Sequence, residues 1–307
     1  MLAVRPEDLV LDDVFLKTQL ADHPHDIYLK IEGLSITHSI KLKPARAMVD
    51  QFEREGRLSP GSALIESSSG NLGLALSMIC ASRGYRFICV SDPNISPQTA
   101  RLIEAYGARL IIVQERDENG GFVGTRMALI RMMLEEDPAL VWVNQYENPC
   151  NPEAHYEHTA MHIEQSFPRI DYLFVGTGTT GTLGGLSKFF KERHPKTQLV
   201  GVDSVGSVTF GTSPGPRFIP GLGASSPPPI SRDVIYDQFL MIEERETVRM
   251  CRQLLRRGLL LGGSSGTVLC GVQKLLPQID PRAVWGAKAV AANRSPCGDC
   301  RDFAGHG

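Results

Sequence analysis

Residues Tyr172 to Gly185 read YLFVGTGTTGTLGG, an apolar run that enters a turn rich in glycine and threonine and then a helix-forming stretch. A strand, a tight turn and a fresh helix leave several backbone N–H groups converging on one point, with the positive end of the helix dipole behind them. That geometry holds a phosphate. It also commits this part of the chain to parallel α/β layering, because the helix must return over the sheet it left. Gly176, Gly178 and Gly181 satisfy G-x-G-x-x-G, and Asp203 closes the next strand (QLVGVD) about twenty residues on, the spacing of a dinucleotide fingerprint. The local pattern therefore admits a nicotinamide dinucleotide (NAD) and an oxidoreductase, or a glycine turn that only lets a helix pack close to its strand.

Strand-like runs alternate with helical patterns along most of the chain. Strands are expected at Ala63–Glu66, Arg86–Ser91, Arg109–Val113, Val141–Asn144, Tyr172–Gly176 and Gln198–Asp203. Helices are expected at Ala45–Glu55, Asn71–Arg83, Pro97–Tyr106, Thr125–Glu136, Tyr156–Ser166 and Thr182–Arg193. The chain's 307 residues exceed one ordinary core and point to two domains, with Pro149–Pro152 as the crossing between them. Ser204 to Arg232 lacks helical periodicity and reads as a long functional loop. A net charge of −2 gives no reason to expect nucleic acid or an anionic membrane as partner. No apolar run reaches transmembrane length and MLAVRPEDLV is no leader, so a cytoplasmic protein is expected. Seven scattered cysteines fit a reducing compartment, and only Cys297 and Cys300 have metal or redox spacing, without a second ligand pair.

Three further segments carry chemistry. Ser39-Ile40-Lys41-Leu42-Lys43 precedes a helix, and a lysine at a helix start is disfavoured by the dipole. Such a lysine is either solvated or chemically used as an amine of lowered pKa, able to form a Schiff base. Glu66-Ser67-Ser68-Ser69-Gly70-Asn71 is again a strand, a turn and a helix start, now with hydroxyls that suit a carboxylate. Gly262-Gly263-Ser264-Ser265-Gly266 lets backbone approach a flat ligand and offers one neutral hydroxyl, though a helix cap has the same letters.

In this order, Ser39-x-Lys41, SSSGNLG, GTGTTGT and GGSSG resemble the cysteine synthase family. The likeness runs from about Tyr28 to Gly271. It implies a two-domain, fold-type-II pyridoxal-phosphate enzyme similar to the tryptophan synthase β-subunit, with open, mostly parallel sheets flanked by helices. The smaller domain would span residues 35–146, and the larger would combine residues 1–34 with 147–307.

The resemblance implies pyridoxal 5′-phosphate as cofactor, Lys41 as its Schiff-base lysine, and Asn71 at the pyridoxal 3′-oxygen. Gly178, Thr179, Thr180, Gly181 and Thr182 would form the phosphate cup, and Ser264 would meet the pyridine nitrogen. Ser68, Ser69 and Asn71 would grip a substrate carboxylate. The implied reaction is β-replacement on an activated L-serine through α-aminoacrylate, in a homodimer acting on small amino acids.

IESSSGNLGLAL, VSDPNISP, VDSVGSVTFG and IPGLGAS are similar to the branch that joins O-phospho-L-serine to L-glutamate; sulfide is the alternative nucleophile. A phosphoryl leaving group needs cationic donors, for which Arg126 is best placed in sequence, with Lys43 or Arg217 as further cations and Tyr146 as a hydroxyl. Two departures stand out. Leu42-Lys43 follows the lysine where the family has Asp-Arg, and VAANRSPCGDC only loosely matches the family's final strand.

Overall fold

The computed structural model describes residues 3–18 and 26–279. In chain order the elements are β1 (Phe15–Thr18), β2 (Ile27–Lys30), α1 (Leu42–Arg54), β3 (Ala63–Ser67), α2 (Asn71–Arg83), β4 (Arg86–Ser91), α3 (Pro97–Ala105), β5 (Arg109–Ile112) and α4 (Val123–Glu136). Then follow β6 (Val141–Trp142), α5 (Cys150–Ala154), α6 (Met161–Ser166), β7 (Tyr172–Gly176), α7 (Gly181–Arg193), β8 (Gln198–Ser204), β9 (Gln238–Ile242), α8 (Glu244–Arg256) and α9 (Gly263–Leu275).

Two parallel sheets organise the molecule, one of four strands in the order β5-β4-β3-β6 and one of three in the order β7-β8-β9. Every residue of β3 is buried, as expected for a parallel strand covered on both faces. Leu64 packs on one face with Leu42, Met48, Leu76 and Ile79 from α1 and α2. Ile65 packs on the other with Val90, Phe122 and Ile130. The second sheet alternates in the same way: Leu173 and Val175 face Leu183, Phe189 and Phe190, while Phe174, Val200 and Val202 face Val268, Leu269 and Val272 of α9. The antiparallel hairpin β1-β2 is early in the chain, yet it buries Ile27 and Leu29 in the core of the second sheet.

Several expectations are corrected. Pro149 caps α5, so Pro149–Pro152 opens a helix where a crossing loop was expected. The helix expected at Tyr156–Ser166 is the later part of a longer run, α5, a π-helical turn (His155–Ala160) and α6. α1 starts at Leu42, ahead of Pro44, whose fixed φ suits the first turn of a helix. The strand expected at Val141–Asn144 stops at Trp142, and Asn144 has left-handed φ. The hairpin, β9, α8 and α9 were not read from sequence, although Glu243 and Glu246 form a capping box at the start of α8. The departure at VAANRSPCGDC, with Cys297 and Cys300, lies outside the described residues.

Candidate active site

Two turns leave the carboxyl ends of parallel strands side by side, where open α/β sheets bind ligands. The first joins β7 to α7. Thr177 still belongs to the sheet, since its N–H donates to Val202 O at 2.9 Å. The chain then turns through Gly178, Thr179 and Thr180 into α7, a helix of 13 residues whose free N–H groups face the turn.

Thr180 holds φ 67°, a left-handed conformation that a β-branched residue adopts only under constraint. Its Oγ1 is buried without a hydrogen-bond partner among the described residues. A Cβ on Gly178 would sit 2.9 Å from Gly221 O, and one on Gly181 would sit 2.2 Å from Asn151 Oδ1. The turn is therefore a backbone cradle with an unmet hydroxyl at the end of a long helix. It fits the phosphate of pyridoxal phosphate.

Lys41 lies just before α1 and lines the same cavity as Gly178, Thr179 and Ser264. Its backbone N–H donates to Ser39 Oγ at 3.3 Å. Burial lowers its ammonium pKa to about 8, so about a tenth is neutral amine at pH 7 and about half at pH 8. Ser264 is buried in the first turn of α9. Asn71 is the first residue of α2, beside Ser68, Ser69 and Gly70, and all four line the cavity.

Lys43 is neither solvated nor available to a substrate. It is buried, pairs with Asp12, and meets Glu32 Oε1 at 2.9 Å. Burial pulls its pKa down, but Glu32 and Asp12 outweigh burial and hold it above the ordinary lysine value. Two residues, about half a helical turn, thus separate the lysine that lines the cavity from the one locked in a buried ion pair.

The Ser68 hydroxyl is spent on its own turn, accepting from Gly70 N at 3.2 Å and Gly73 N at 2.9 Å. Arg126, in the first turn of α4, is only 4% exposed. Its Nη1 faces Asp92 Oδ2 at 3.3 Å, while Nε has no hydrogen-bond partner among the described residues. It lines the cavity, so the alternative of a surface helix charge is excluded. Tyr146 is buried beside it in the lining, and burial raises its phenol pKa.

Residues that sequence reasoning missed complete the site. Gln145 lines the cavity and donates Nε2 to Ser67 O at 2.8 Å. Glu66 is fully buried behind it, its pKa pushed up to about 8 by that burial, which keeps the carboxyl largely neutral at pH 7. Asn151 donates to Thr179 Oγ1 at 3.2 Å from behind the cup. Its position in NPEAH, just after a polar turn, was the only available signal.

The dinucleotide reading fails on Asp203. That side chain is fully buried, accepts Ser204 N–H at 2.7 Å, and is not part of the cavity lining, so it offers no carboxylate to a ribose.

Comparison with known proteins agrees with this geometry. Residues 14–287 match the family model described as pyridoxal-phosphate dependent enzyme. The chain is 41% identical over 254 residues to the N-(2-amino-2-carboxyethyl)-L-glutamate synthase of Ralstonia nicotianae (strain ATCC BAA-1114 / GMI1000), covering 82% of this chain and 75% of that protein. It superposes on a crystal structure of O-ureido-L-serine synthase with TM-score 0.88 and 27% identity, over 100% of this chain and 98% of the other. The O-acetylserine dependent cystathionine beta-synthase from Helicobacter pylori gives TM-score 0.87 and 25% identity over 100% and 99%. With a phosphate cradle, a lysine lining the same cavity and these likenesses, the chain belongs to the pyridoxal-phosphate dependent enzymes of the cysteine synthase family.

Proposed function

We propose that this enzyme performs β-replacement on O-phospho-L-serine with L-glutamate as nucleophile, giving N-(2-amino-2-carboxyethyl)-L-glutamate, a precursor of 2,3-diaminopropionate. The observation that carries this reading is Arg126: a buried guanidinium with an unmet donor, in the cavity that holds Lys41 and the cup. Asp92 offsets its charge in part, but a buried donor left without an acceptor is costly, and an anionic ligand would complete it. A phosphoryl leaving group is such a ligand, and the name of the 41% identical relative supports the glutamate product.

Lys41 would hold the cofactor, and its amine would take the proton from the substrate Cα and later return it. Its lowered pKa suits both transfers. Ser69, Asn71 and the N–H groups that open α2 orient the substrate carboxylate, and the Ser68 hydroxyl keeps that turn in shape. Asn71 would meet the pyridoxal 3′-oxygen and Ser264 the ring nitrogen, both lining the cavity. The cofactor supplies an electron sink, and a neutral serine hydroxyl at the ring nitrogen makes it a weaker one than a carboxylate would. Weaker stabilisation of negative charge at Cα favours prompt loss of the β-group. Arg126, with the Tyr146 hydroxyl, receives the departing phosphate. Arg217, which also lines the cavity and whose Nε is unpartnered among the described residues, balances the glutamate carboxylates. Lys43 takes no part in this balance.

Mass spectrometry of products tests the reading, offering O-phosphoserine or O-acetylserine with glutamate or sulfide. The expected product is the glutamate adduct from O-phosphoserine. Arg126→Ala should lower kcat/KM for O-phosphoserine by about 10²-fold, as loss of a charge-assisted contact does, and affect O-acetylserine less. Cysteine from O-acetylserine and sulfide, with no glutamate adduct from either ester, would replace the proposal by a cysteine synthase. The family resemblance also carries a homodimer: sedimentation should give twice the 33.6 kDa chain mass, and a 33.6 kDa particle at micromolar concentration would refute it.

A further inference from the structure

Behind the cup lies a buried line of polar groups that the reaction does not use directly. Lys43 Nζ reaches Thr159 Oγ1 at 3.4 Å. Thr159 Oγ1 lies 3.0 Å from His155 Nδ1, and His155 Nε2 lies 3.2 Å from Thr182 Oγ1. His155, Thr159 and Lys43 are buried, and Thr182 is the second residue of α7. The π-helical turn His155–Ala160 carries both middle members. Gly185 gives His155 its room, because a Cβ there would stand 2.7 Å from His155 Cβ and 2.2 Å from Pro152 O.

The direction of this line follows from which groups can donate. An ammonium only donates, so Thr159 Oγ1 accepts from Lys43. The Thr159 proton then has His155 Nδ1 as its acceptor among the described hydrogen bonds. With Nδ1 accepting, a neutral imidazole carries its proton on Nε2 and donates to Thr182 Oγ1. Thr182, having accepted, is left with its own proton to give outward, into the cup. Burial first, and then the charges of Lys43 and Lys41, hold the His155 pKa well below 6.5, which keeps the ring neutral. The reverse tautomer would direct the Thr182 proton inward to Nε2 and turn lone pairs toward a phosphate.

We propose that Lys43 and Thr159 lock His155 as the Nε2–H tautomer, making it a positioning residue that points the Thr182 hydroxyl proton at the cofactor phosphate. The lysine that replaces the family's arginine therefore has a task of its own: its Nζ donates to Asp12, Glu32 and Thr159. The proposal rests on the cofactor reading only for what Thr182 meets. The tautomer belongs to the protein alone.

The test uses ¹⁵N-histidine protein stripped of cofactor, with the His155 signal identified by its loss in His155→Gln. Long-range ¹H–¹⁵N spectra should show a neutral ring protonated on Nε2 at about pH 6 to 8. Thr159→Val should release the tautomer into a mixture, raise the dissociation constant for pyridoxal phosphate roughly 3- to 10-fold, and shift the ³¹P signal of the bound phosphate. Thr159→Ser should restore all three. A proton on Nδ1, a charged ring, or a Thr159→Val protein with unchanged tautomer and ³¹P signal would each overturn the proposal. Lys43→Arg gives a second check without emptying the buried charge cluster: a guanidinium also only donates, so the Nε2–H form should be kept, and its loss would overturn the direction drawn from donor chemistry. A protein that takes up no pyridoxal phosphate at all would defeat the cofactor reading, while the spectra without cofactor would still decide the tautomer.

Discussion

Lys41→Ala protein is expected to be colourless and to lose turnover by at least about 10³-fold, because both the cofactor attachment and the proton carrier at Cα go with one amine. Lys43→Ala should keep the yellow colour and instead lose stability by about 3–5 kcal/mol, the usual result of stripping one partner from a buried ion pair. Where that loss prevents folding, Lys43→Arg keeps the charge and serves as the coloured control. Absorbance, followed by borohydride reduction and peptide mapping, separates the two lysines, and a reduced adduct on Lys43 would reverse the assignment.

The lowered pKa adds a pH signature to this experiment. Lys41 is protonated below about 8 and neutral above it, so cofactor capture by stripped protein should speed up as pH rises through about 8. An ordinary lysine would show the same rise near 10.4.

Gly181→Val should abolish cofactor retention, weakening it by more than about 10²-fold. A Cβ at that position would stand 2.2 Å from the Asn151 side chain, and Asn151 is itself pinned to Gln145 O at 2.7 Å and to Thr179. Either α7 moves or Asn151 gives up its bonds, and each deforms the turn that holds the phosphate. Thr179→Ala, by contrast, removes one hydroxyl and should cost about 0.5–1.5 kcal/mol. Equilibrium dialysis or fluorescence titration of cofactor against both variants is the measurement. Equal losses would show that side-chain hydroxyls, rather than the backbone path, hold the phosphate.

The turns at the site were legible because their chemistry is local. A parallel strand leaves a continuous apolar run, and a turn that must bring backbone to a ligand needs glycine at particular places. ALIES before SSGN and YLFVG before TGTTG show both signals, and β3, β7 and the starts of α2 and α7 fall within a residue or so of where they were read. The order of four such segments was enough to identify the family. The hairpin β1-β2 and strand β9 escaped because short strands get their identity from distant partners: β9 exists by pairing with β8, and Ile27 and Leu29 are core residues only against α9 and the second sheet.

Charge was where sequence stopped. Ser39-x-Lys41-Leu42-Lys43 determined by itself that a lysine stands at a helix start, and it was the family resemblance, not the charge of either residue, that singled out Lys41. Desolvation and pairing are sums over neighbours distant in the chain, and only folding brings Asp12 and Glu32 to Lys43 while leaving Lys41 beside the cup. The same reason governs Arg126, which could equally have been a solvated helix charge until α4 placed it against Asp92, and Asp203, whose spacing fitted a ribose until β8 buried it. His155 drew no attention in the sequence, since its meaning lies in Lys43, Thr159 and Thr182, which α1, the π-helical turn and α7 bring together. Local backbone chemistry is written in neighbouring letters; the electrostatics of a buried site is set by whichever residues the tertiary structure makes neighbours.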